Sequence, residues 1–315
     1  MKSLSVLILS IFLNIYSFAQ STNNDGPIID VHLHAVPLQQ LQNSARIPLP
    51  IKNIKTPMTV EEHLGETLKI MNNNNVVLGI VTGFNFDNLK KYSDADPSLI
   101  KTGLQFSTAG VNIDMLKSKY ESRSLQIMGE LTMQYAGKSP SDEDLDPYFD
   151  LAEKMEIPVC IHTGFSFPGI TRTAPKFRMA LGNPFVVEEL LNKHPNLRVW
   201  LAHAAWPFLE EIIGILHTYP QVYIDISTIN WLLPGDEFYY YLKAIIRAGF
   251  GKRIMYGSDQ MSWPEGIQYS IDTIKKADFL SEQQKQDIFY NNAARFFKLS
   301  QEEIEIHHKQ TSDKR

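Results

Sequence analysis

Histidines and acidic residues fall at the ends of short apolar runs along this sequence. His32 and His34 close the first run, and their spacing of two would place both imidazoles on one face of a strand. Four other side chains that can bind a metal end later runs, namely Glu130, His162, His203 and Asp259. Each residue alone has an ordinary structural explanation, such as a buried core histidine or an aspartate in a turn. Together they predict a metal centre, because imidazole and carboxylate groups hold catalytic divalent cations with one position left open for water.

The runs that carry these residues alternate with stretches of helical spacing. Eight runs are short and almost entirely apolar, which is typical of parallel strands covered on both faces. They are Ile28 to His34, Val76 to Thr82, Ile100 to Phe106, Gln126 to Glu130, Pro158 to His162, Arg198 to His203, Gln221 to Ser227 and Arg253 to Asp259. This order predicts an α/β fold, a single-domain (β/α)8 TIM-like barrel or, failing that, an open parallel sheet. The carboxyl ends of barrel strands form one rim, so the six side chains would converge there.

The composition of the chain limits which ligands the site can bind and which residues can form it. The chain has 315 residues and a net charge of −5, which argues against a general nucleic-acid binder. Its one cysteine, Cys160, excludes an internal disulfide and a cysteine-based zinc cluster, so any metal ligands must be His and carboxylate. Cys160 shares the strand face of His162 and is expected to pack below the site. The other histidines are expected on the surface (His63, His194, His217) or in the tail (His307, His308).

The two ends of the chain are expected to lie outside the barrel. Residues 1–19 predict a cleaved signal peptide, with Lys2, an apolar stretch from Leu4 to Tyr16, and small residues at Ser17 and Ala19. A buried helix or membrane anchor is the alternative, but the stretch is short for a bilayer span. A cleaved signal peptide implies that the protein is exported to the periplasm or the medium. Residues 20–300 would form the barrel, and residues 301–315 a polar, frayed C-terminal tail.

Several segments, taken together, resemble a known superfamily. They are IIDVHLH, PVCIHTG, LAHAAWP, MYGSDQMSWP and NNAARFFKL, spread from Ile28 to Leu299. The sequence is similar to the metal-dependent amidohydrolase superfamily, and most of all to amidohydrolase family 2, which contains single-domain hydrolases and decarboxylases. The resemblance implies a distorted (β/α)8 barrel with one or two divalent ions at its rim.

The resemblance also implies roles for individual residues. His32, His34, His162 and Asp259 would bind the ion. His203 would act on the substrate, orient the water or bind a second ion. Glu130 stands where deoxyribonuclease-like members of the superfamily carry a glutamate that bridges two metals. One ion is favoured over two.

The residue types also suggest the chemistry at this centre. Three imidazoles and one carboxylate suit Zn2+, and also Mn2+, Fe2+ or Co2+. Asp259 is predicted to accept the proton of the activated water, and His203 to stabilise the oxygen that gains negative charge. Asp30 lies on the strand face of His32 and His34 and is expected to orient a ligand imidazole through its second nitrogen.

Residues in the loops after the strands are candidates for substrate binding. Phe165, Trp206 and Trp263 could line an apolar pocket, or else pin the loops to the barrel. Arg172 and Arg178 could hold a carboxylate or phosphate, or else be ordinary surface charges.

These features favour an exported metal-dependent hydrolase that acts on an ester, lactone or amide-like bond of a small molecule. A metal-dependent decarboxylase of an aromatic or enoic acid is the alternative, although intracellular catabolism would suit it better than export. A non-catalytic metal- or ligand-binding protein is the third interpretation. No nucleic acid and no stable membrane insertion are expected, and a homodimer is compatible with the sequence.

Overall fold

Eight parallel strands follow one another around a barrel in chain order, as the sequence predicted. The computed structural model describes residues 26–44, 49, 51 and 54–313, so the predicted signal peptide lies outside the described residues. The strands are β1 Ile28–His34, β2 Val76–Gly83, β3 Ile100–Phe106, β4 Ile127–Leu131, β5 Val159–Ile161, β6 Val199–Leu201, β7 Val222–Asp225 and β8 Ile254–Met255. The Val31 N–H donates to the carbonyl of Tyr256, just after β8, at 3.0 Å. This bond brings the end of the barrel back to its first strand.

Helices cover the outside of the barrel. They are α1 Leu38–Ser44, α2 Val60–Asn73, α3 Phe86–Ala95, α4 Ile113–Glu121, α5 Asp146–Lys154, α6 Glu188–Lys193, α7 Leu209–Thr218, α8 Ile229–Leu232, α9 Gly235–Arg247, α10 Gly266–Lys275, α11 Glu282–Gln286, α12 Asn292–Phe296 and α13 Gln301–Ser312. Among the residues described, no helix combines the length and apolarity needed to cross a bilayer.

The interior of the barrel beneath the rim is apolar. Cys160 is buried there in one cluster with Ile127, Trp200 and Met255, and the cluster continues to Phe296 of α12. Burial raises the pKa of the Cys160 thiol well above its ordinary value. A protonated thiol is a poor metal ligand, so Cys160 packs, as expected from the sequence.

The C-terminal segment is ordered, contrary to the expectation of a frayed tail. Residues 301–312 form α13, which begins at the N-cap Ser300 with a capping box completed by Glu303. His307 is buried in this helix, and its Nδ1 lies 2.9 Å from the hydroxyl of Tyr290. The cap satisfies the free N–H groups of the first turn, and the buried face anchors the helix.

Two histidines that were expected on the surface are buried. His194 lies 3.3 Å from Glu153, and His63 is completely enclosed. The two ring nitrogens of His63 are 2.5 Å from the Tyr92 hydroxyl and 2.6 Å from the Met261 carbonyl oxygen. The sequence prediction failed because the polar neighbours of His63 in α2 face solvent, while His63 itself points to the loop after β8.

Burial of His63 makes stability depend on pH. Desolvation is the main cause that lowers its pKa, from 6.5 to about 4. The unfolded chain would therefore bind a proton below pH 6.5, while the folded chain would resist doing so until about pH 4. Stability should be full above pH 6.5 and fall by about 3 kcal/mol as the pH drops through that window.

Urea unfolding of wild type and His63→Gln between pH 7.5 and 4.5 measures this effect. The variant should lose less stability than wild type over the same interval, and His217→Gln, a change of an exposed histidine, should follow wild type. Parallel pH profiles for wild type and His63→Gln would contradict the prediction.

Candidate metal centre

The six predicted side chains meet at the carboxyl end of the barrel, and each is buried. His32 and His34 lie in β1 and Glu130 in β4, while His162, His203 and Asp259 come after their strands. The predicted strands were therefore too long at these positions. His203 and Asp259 have left-handed backbone conformations, with φ of 59° and 49°, which end the extended chain and turn the side chains over the barrel mouth.

Glu130 occupies the middle of this group and contacts two pairs of histidines. Its Oε2 lies 3.5 Å from His32 Nε2 and 3.8 Å from His34 Nε2. Its Oε1 lies 2.7 Å from His162 Nδ1 and 3.4 Å from His203 Nε2. Burial opposes the charge, but the surrounding imidazoles lower the pKa of Glu130 well below its ordinary value. Each oxygen of one ionised carboxylate thus faces its own histidine pair.

The other ring nitrogens of three histidines already have acceptors. His32 Nδ1 is 3.0 Å from the carboxylate of Asp225, His162 Nε2 is 3.1 Å from the Phe165 carbonyl and His203 Nδ1 is 3.3 Å from the Ser227 carbonyl. A neutral imidazole that donates at one nitrogen has a lone pair at the other. In the chain without a cation these nitrogens face the Glu130 carboxylate as hydrogen-bond donors, and once they lose their protons to a cation their lone pairs would point to the same place. His32 Nε2 has no hydrogen-bond partner within the described structure, as expected of a nitrogen that awaits a cation.

Asp259 completes the rim next to His34. Its Oδ1 lies 2.8 Å from His34 Nε2, and its Oδ2 accepts a hydrogen bond from the Thr228 hydroxyl. Burial alone would raise the pKa of Asp259, but the positive charge of the neighbouring histidines outweighs it and lowers that pKa. Asp259 is therefore a carboxylate at neutral pH.

Asp225, and not Asp30 as expected, accepts a hydrogen bond from the second nitrogen of a ligand imidazole and so orients the ring. Asp30 Oδ1 accepts the backbone N–H groups of His32 and Ser258, at 3.1 and 3.0 Å, and does not contact the His32 ring. Pairing between β1 and β2 shifts register between Asp30 and Leu33, so the alternation that His32 shares with His34 does not extend back to Asp30. Burial raises the pKa of Asp30 to about 7.

Asp225, at the end of β7, was missed in the sequence. Its Oδ2 accepts from His32 Nδ1 and, at 3.1 Å, from the Trp200 indole. Its Oδ1 accepts the backbone N–H groups of His203 and Ser227, both at 3.0 Å. An acidic residue near the end of an apolar run was the signal that singled out Glu130 and Asp259, and it applies to Asp225 as well.

A cavity of about 310 Å³ opens above these residues. Its floor includes His34, Glu130, His162, His203 and Asp259. Its walls carry four aromatic side chains, Phe84, Tyr135, Phe165 and Phe167, among aliphatic and neutral polar residues. The volume lies at the small end of the usual range for ligand pockets, which suits a small molecule.

The substrate-binding candidates are divided between the cavity and its surroundings. Phe165 lines the cavity, while Trp206 packs against Phe165 from behind, with ring centroids 5.1 Å apart. Trp263 packs behind Phe167, and the centroids of the two rings are 6.3 Å apart. The two arginine candidates, Arg172 and Arg178, are exposed and do not line the cavity. The Arg178 guanidinium donates to carbonyl groups of its own loop, at Pro175 and Phe177, and so turns away.

The sequence profile of the amidohydrolase family matches residues 128–299, more than half of the chain. The chain belongs to the amidohydrolase family. Protein fluG of Emericella nidulans is 21% identical in an alignment of 248 positions that covers 69% of this amidohydrolase and 28% of fluG. The chain thus spans less than a third of that relative.

Solved structures share the fold of this amidohydrolase. A probable 2-pyrone-4,6-dicarboxylic acid hydrolase from Acinetobacter baumannii superimposes with a TM-score of 0.61 at 14% identity, over 86% of this chain and 99% of the other. A dihydroxybenzoic acid decarboxylase from Polaromonas sp. JS666, with bound manganese, gives 0.59 at 12% identity, over 88% and 99%. Both hydrolases and decarboxylases therefore use this architecture.

The residues of this amidohydrolase fit the metal dependence of the family. Among the described residues, four groups of ligand atoms lie within 4.8 Å of one another, and one of them joins the protonated Cys160 to His32 and Asp225. The other three lie at the rim: His32 with His34 and Glu130, Glu130 with His162 and His203, and His32 with His203 and Asp259. These three offer only imidazole and carboxylate donors, which is the donor set of Zn2+, Mn2+, Fe2+ and Co2+ sites.

Proposed function

We propose that this amidohydrolase is a metal-dependent hydrolase that cleaves an ester, lactone or amide-like bond of a small molecule. The observation that carries the proposal is the position of Asp259, an ionised carboxylate on the cavity floor beside His34. A divalent ion held by these residues supplies Lewis acidity, which acidifies water and polarises a carbonyl group. Asp259 then has the charge and the place to accept the proton of the attacking water.

The other residues of the site have separate roles in the reaction that begins with this proton transfer. Water adds its hydroxyl to the acyl carbon, and Asp259 returns the proton to the leaving oxygen or nitrogen, so that an acid and an alcohol or amine are formed. His203 would act through the ion that it holds together with His162, because positive charge at that position would stabilise the former carbonyl oxygen as it becomes negative. Asp225 holds the His32 ring in its orientation.

The proposal extends to the number of ions. The sequence favoured one, but each oxygen of Glu130 faces a separate histidine pair, and we propose one ion position at each pair. His32 and His34 would hold the first with Glu130 Oε2, and His162 and His203 the second with Oε1. Zn2+ remains the proposed metal.

Replacing Glu130 by Gln tests the ion count. The amide keeps the shape but loses one anionic oxygen and the charge that two cations would share. We expect the metal content, measured by elemental analysis, to fall from two ions per chain to one or fewer. Glu153→Gln, near the buried His194 and away from the rim, is the matched control. One ion in both wild type and Glu130→Gln would contradict the two-ion arrangement.

Decarboxylation is the competing function, because an ion on the cavity floor could itself hold the carboxylate of an acid. No Lys or Arg lines the cavity among the residues described, so the acid would have the ion as its one cationic partner there. The experiment is to supply the metal-loaded protein with aryl esters, lactones and anilides, and separately with hydroxybenzoic acids. Hydrolysis that stops with a chelator and returns with metal supports the proposal. Release of CO2 from the acids without any hydrolysis would refute it.

A further inference from the structure

Part of the cavity wall is aromatic, and other side chains pack against these aromatic rings on the side away from the cavity. The Tyr135 hydroxyl donates to Ser166 Oγ at 2.9 Å, and the Tyr135 ring also packs edge-on against Phe177. Phe165 rests on Trp206 as described above. Rings fixed in this way present a preformed apolar surface, because little side-chain freedom remains to be lost when a ligand binds. The walls therefore favour a flat or apolar group.

Among the described residues, the charged side chains that line the cavity are all on its floor. Glu130 and Asp259 are carboxylates there, and Asp225 is a third just beneath. The polar groups on the walls are neutral hydroxyls and amides, such as Gln40, Ser107 and Thr132. No cationic side chain lines the cavity within the described part of the chain. A carboxylate carried by a ligand toward the walls would thus be desolvated without a partner, which is costly.

We infer that the substrate is an uncharged molecule whose ring or apolar group lies against Tyr135, Phe165 and Phe167. This inference rests on the proposed function and names its substrate class. Only the bond that is cleaved would face the metal-competent floor. The walls would exclude a substrate with an additional carboxylate remote from that bond. This exclusion would be the same with one or two metal ions on the cavity floor.

Two probes that share one metal-binding group can measure this preference. 4-Methylbenzohydroxamate and 4-carboxybenzohydroxamate both present a hydroxamate to the floor and differ only in the group directed at the walls. Titration calorimetry on the metal-loaded protein should show the methyl probe binding roughly 100-fold more tightly, since the carboxylate is left unpaired. Equal affinities, or tighter binding of the carboxyl probe, would overturn the inference.

A charge placed at the cavity mouth should reverse part of the preference. Phe84 lines the cavity and is 58% exposed, so Phe84→Arg adds a cation there without filling the interior. It should tighten binding of the carboxyl probe relative to the methyl probe by about tenfold. Tyr240→Arg is the control, because Tyr240 is an aromatic residue of similar exposure, 63%, outside the cavity. A ratio that Phe84→Arg leaves unchanged, as Tyr240→Arg should, would count against the inference.

The kinetic form of the experiment separates this inference from the proposed function. Phenyl butyrate and monophenyl succinate carry the same ester, and a carboxylate replaces a methyl group in the second. The neutral ester should have a kcat/KM about 100-fold higher. Comparable turnover of both would overturn the inference while the hydrolase proposal stands. If neither ester were turned over while the methyl probe still bound more tightly, the hydrolase proposal would be contradicted. The inference that the cavity prefers uncharged ligands would still be supported.

Discussion

Asp259→Asn is expected to lower kcat/KM for ester hydrolysis by about 10³-fold while the protein keeps its metal. Positioned acid–base groups typically contribute factors of 10² to 10⁴. The Asn side chain retains an oxygen beside His34 but cannot accept a proton from water. With that oxygen beside His34, the amide NH2 group takes the place of Oδ2 and can donate to the Thr228 hydroxyl, so the loop after β8 should keep its conformation.

The measurement pairs steady-state kinetics with elemental analysis of the same sample. Asp278→Asn, a change of an exposed aspartate, is the control and should have wild-type activity and metal content. If Asp259→Asn kept more than a tenth of the wild-type rate at full metal occupancy, another group would have to accept the proton, and the proposed role of Asp259 would be wrong.

Replacing His32 or His162 by Ala is expected to remove at least one ion per chain. His32 belongs to the pair at Glu130 Oε2 and His162 to the pair at Oε1, so each change leaves its position with one imidazole. Changes to groups that only support metal ligands cost 10- to 100-fold in metal affinity, and loss of a ligand should cost at least as much. Bound metal also stabilises the folded chain, so the melting temperature of the loaded protein should fall toward that of the metal-free protein.

Elemental analysis after extensive dialysis gives the occupancy. His217→Ala removes an exposed histidine of α7 and should keep the full complement of metal. Unchanged occupancy in both His32→Ala and His162→Ala would contradict the assignment of these residues as ligands.

Much of the barrel could be predicted from the sequence because its strands are covered on both faces. The first and third runs match β1 and β3 residue for residue, although polar residues interrupt both, since short runs between stretches of helical spacing mark parallel strands. The later runs were predicted too long. Apolar residues continue past β6 and β8, but the backbone at His203 and Asp259 is left-handed, and composition does not reveal that.

The sequence predicted those site residues whose position depends on one strand or strand end. It missed the residues whose position depends on tertiary packing. His32 and His34 needed only the period of a strand. The partner of the His32 ring could not be read in the same way, because Asp225 lies 193 residues away and reaches it across the barrel. The direction of Arg178 likewise depends on how its loop folds back on itself.

Asp225 joins parts of the chain that are distant in sequence: the His32 imidazole from β1, the Trp200 indole from β6 and backbone groups after β6 and β7. One buried carboxylate therefore ties the orientation of the His32 imidazole to the packing of three strands. A substitution of Asp225 should disturb the barrel and the metal centre together, and its effect on activity would not measure either one separately.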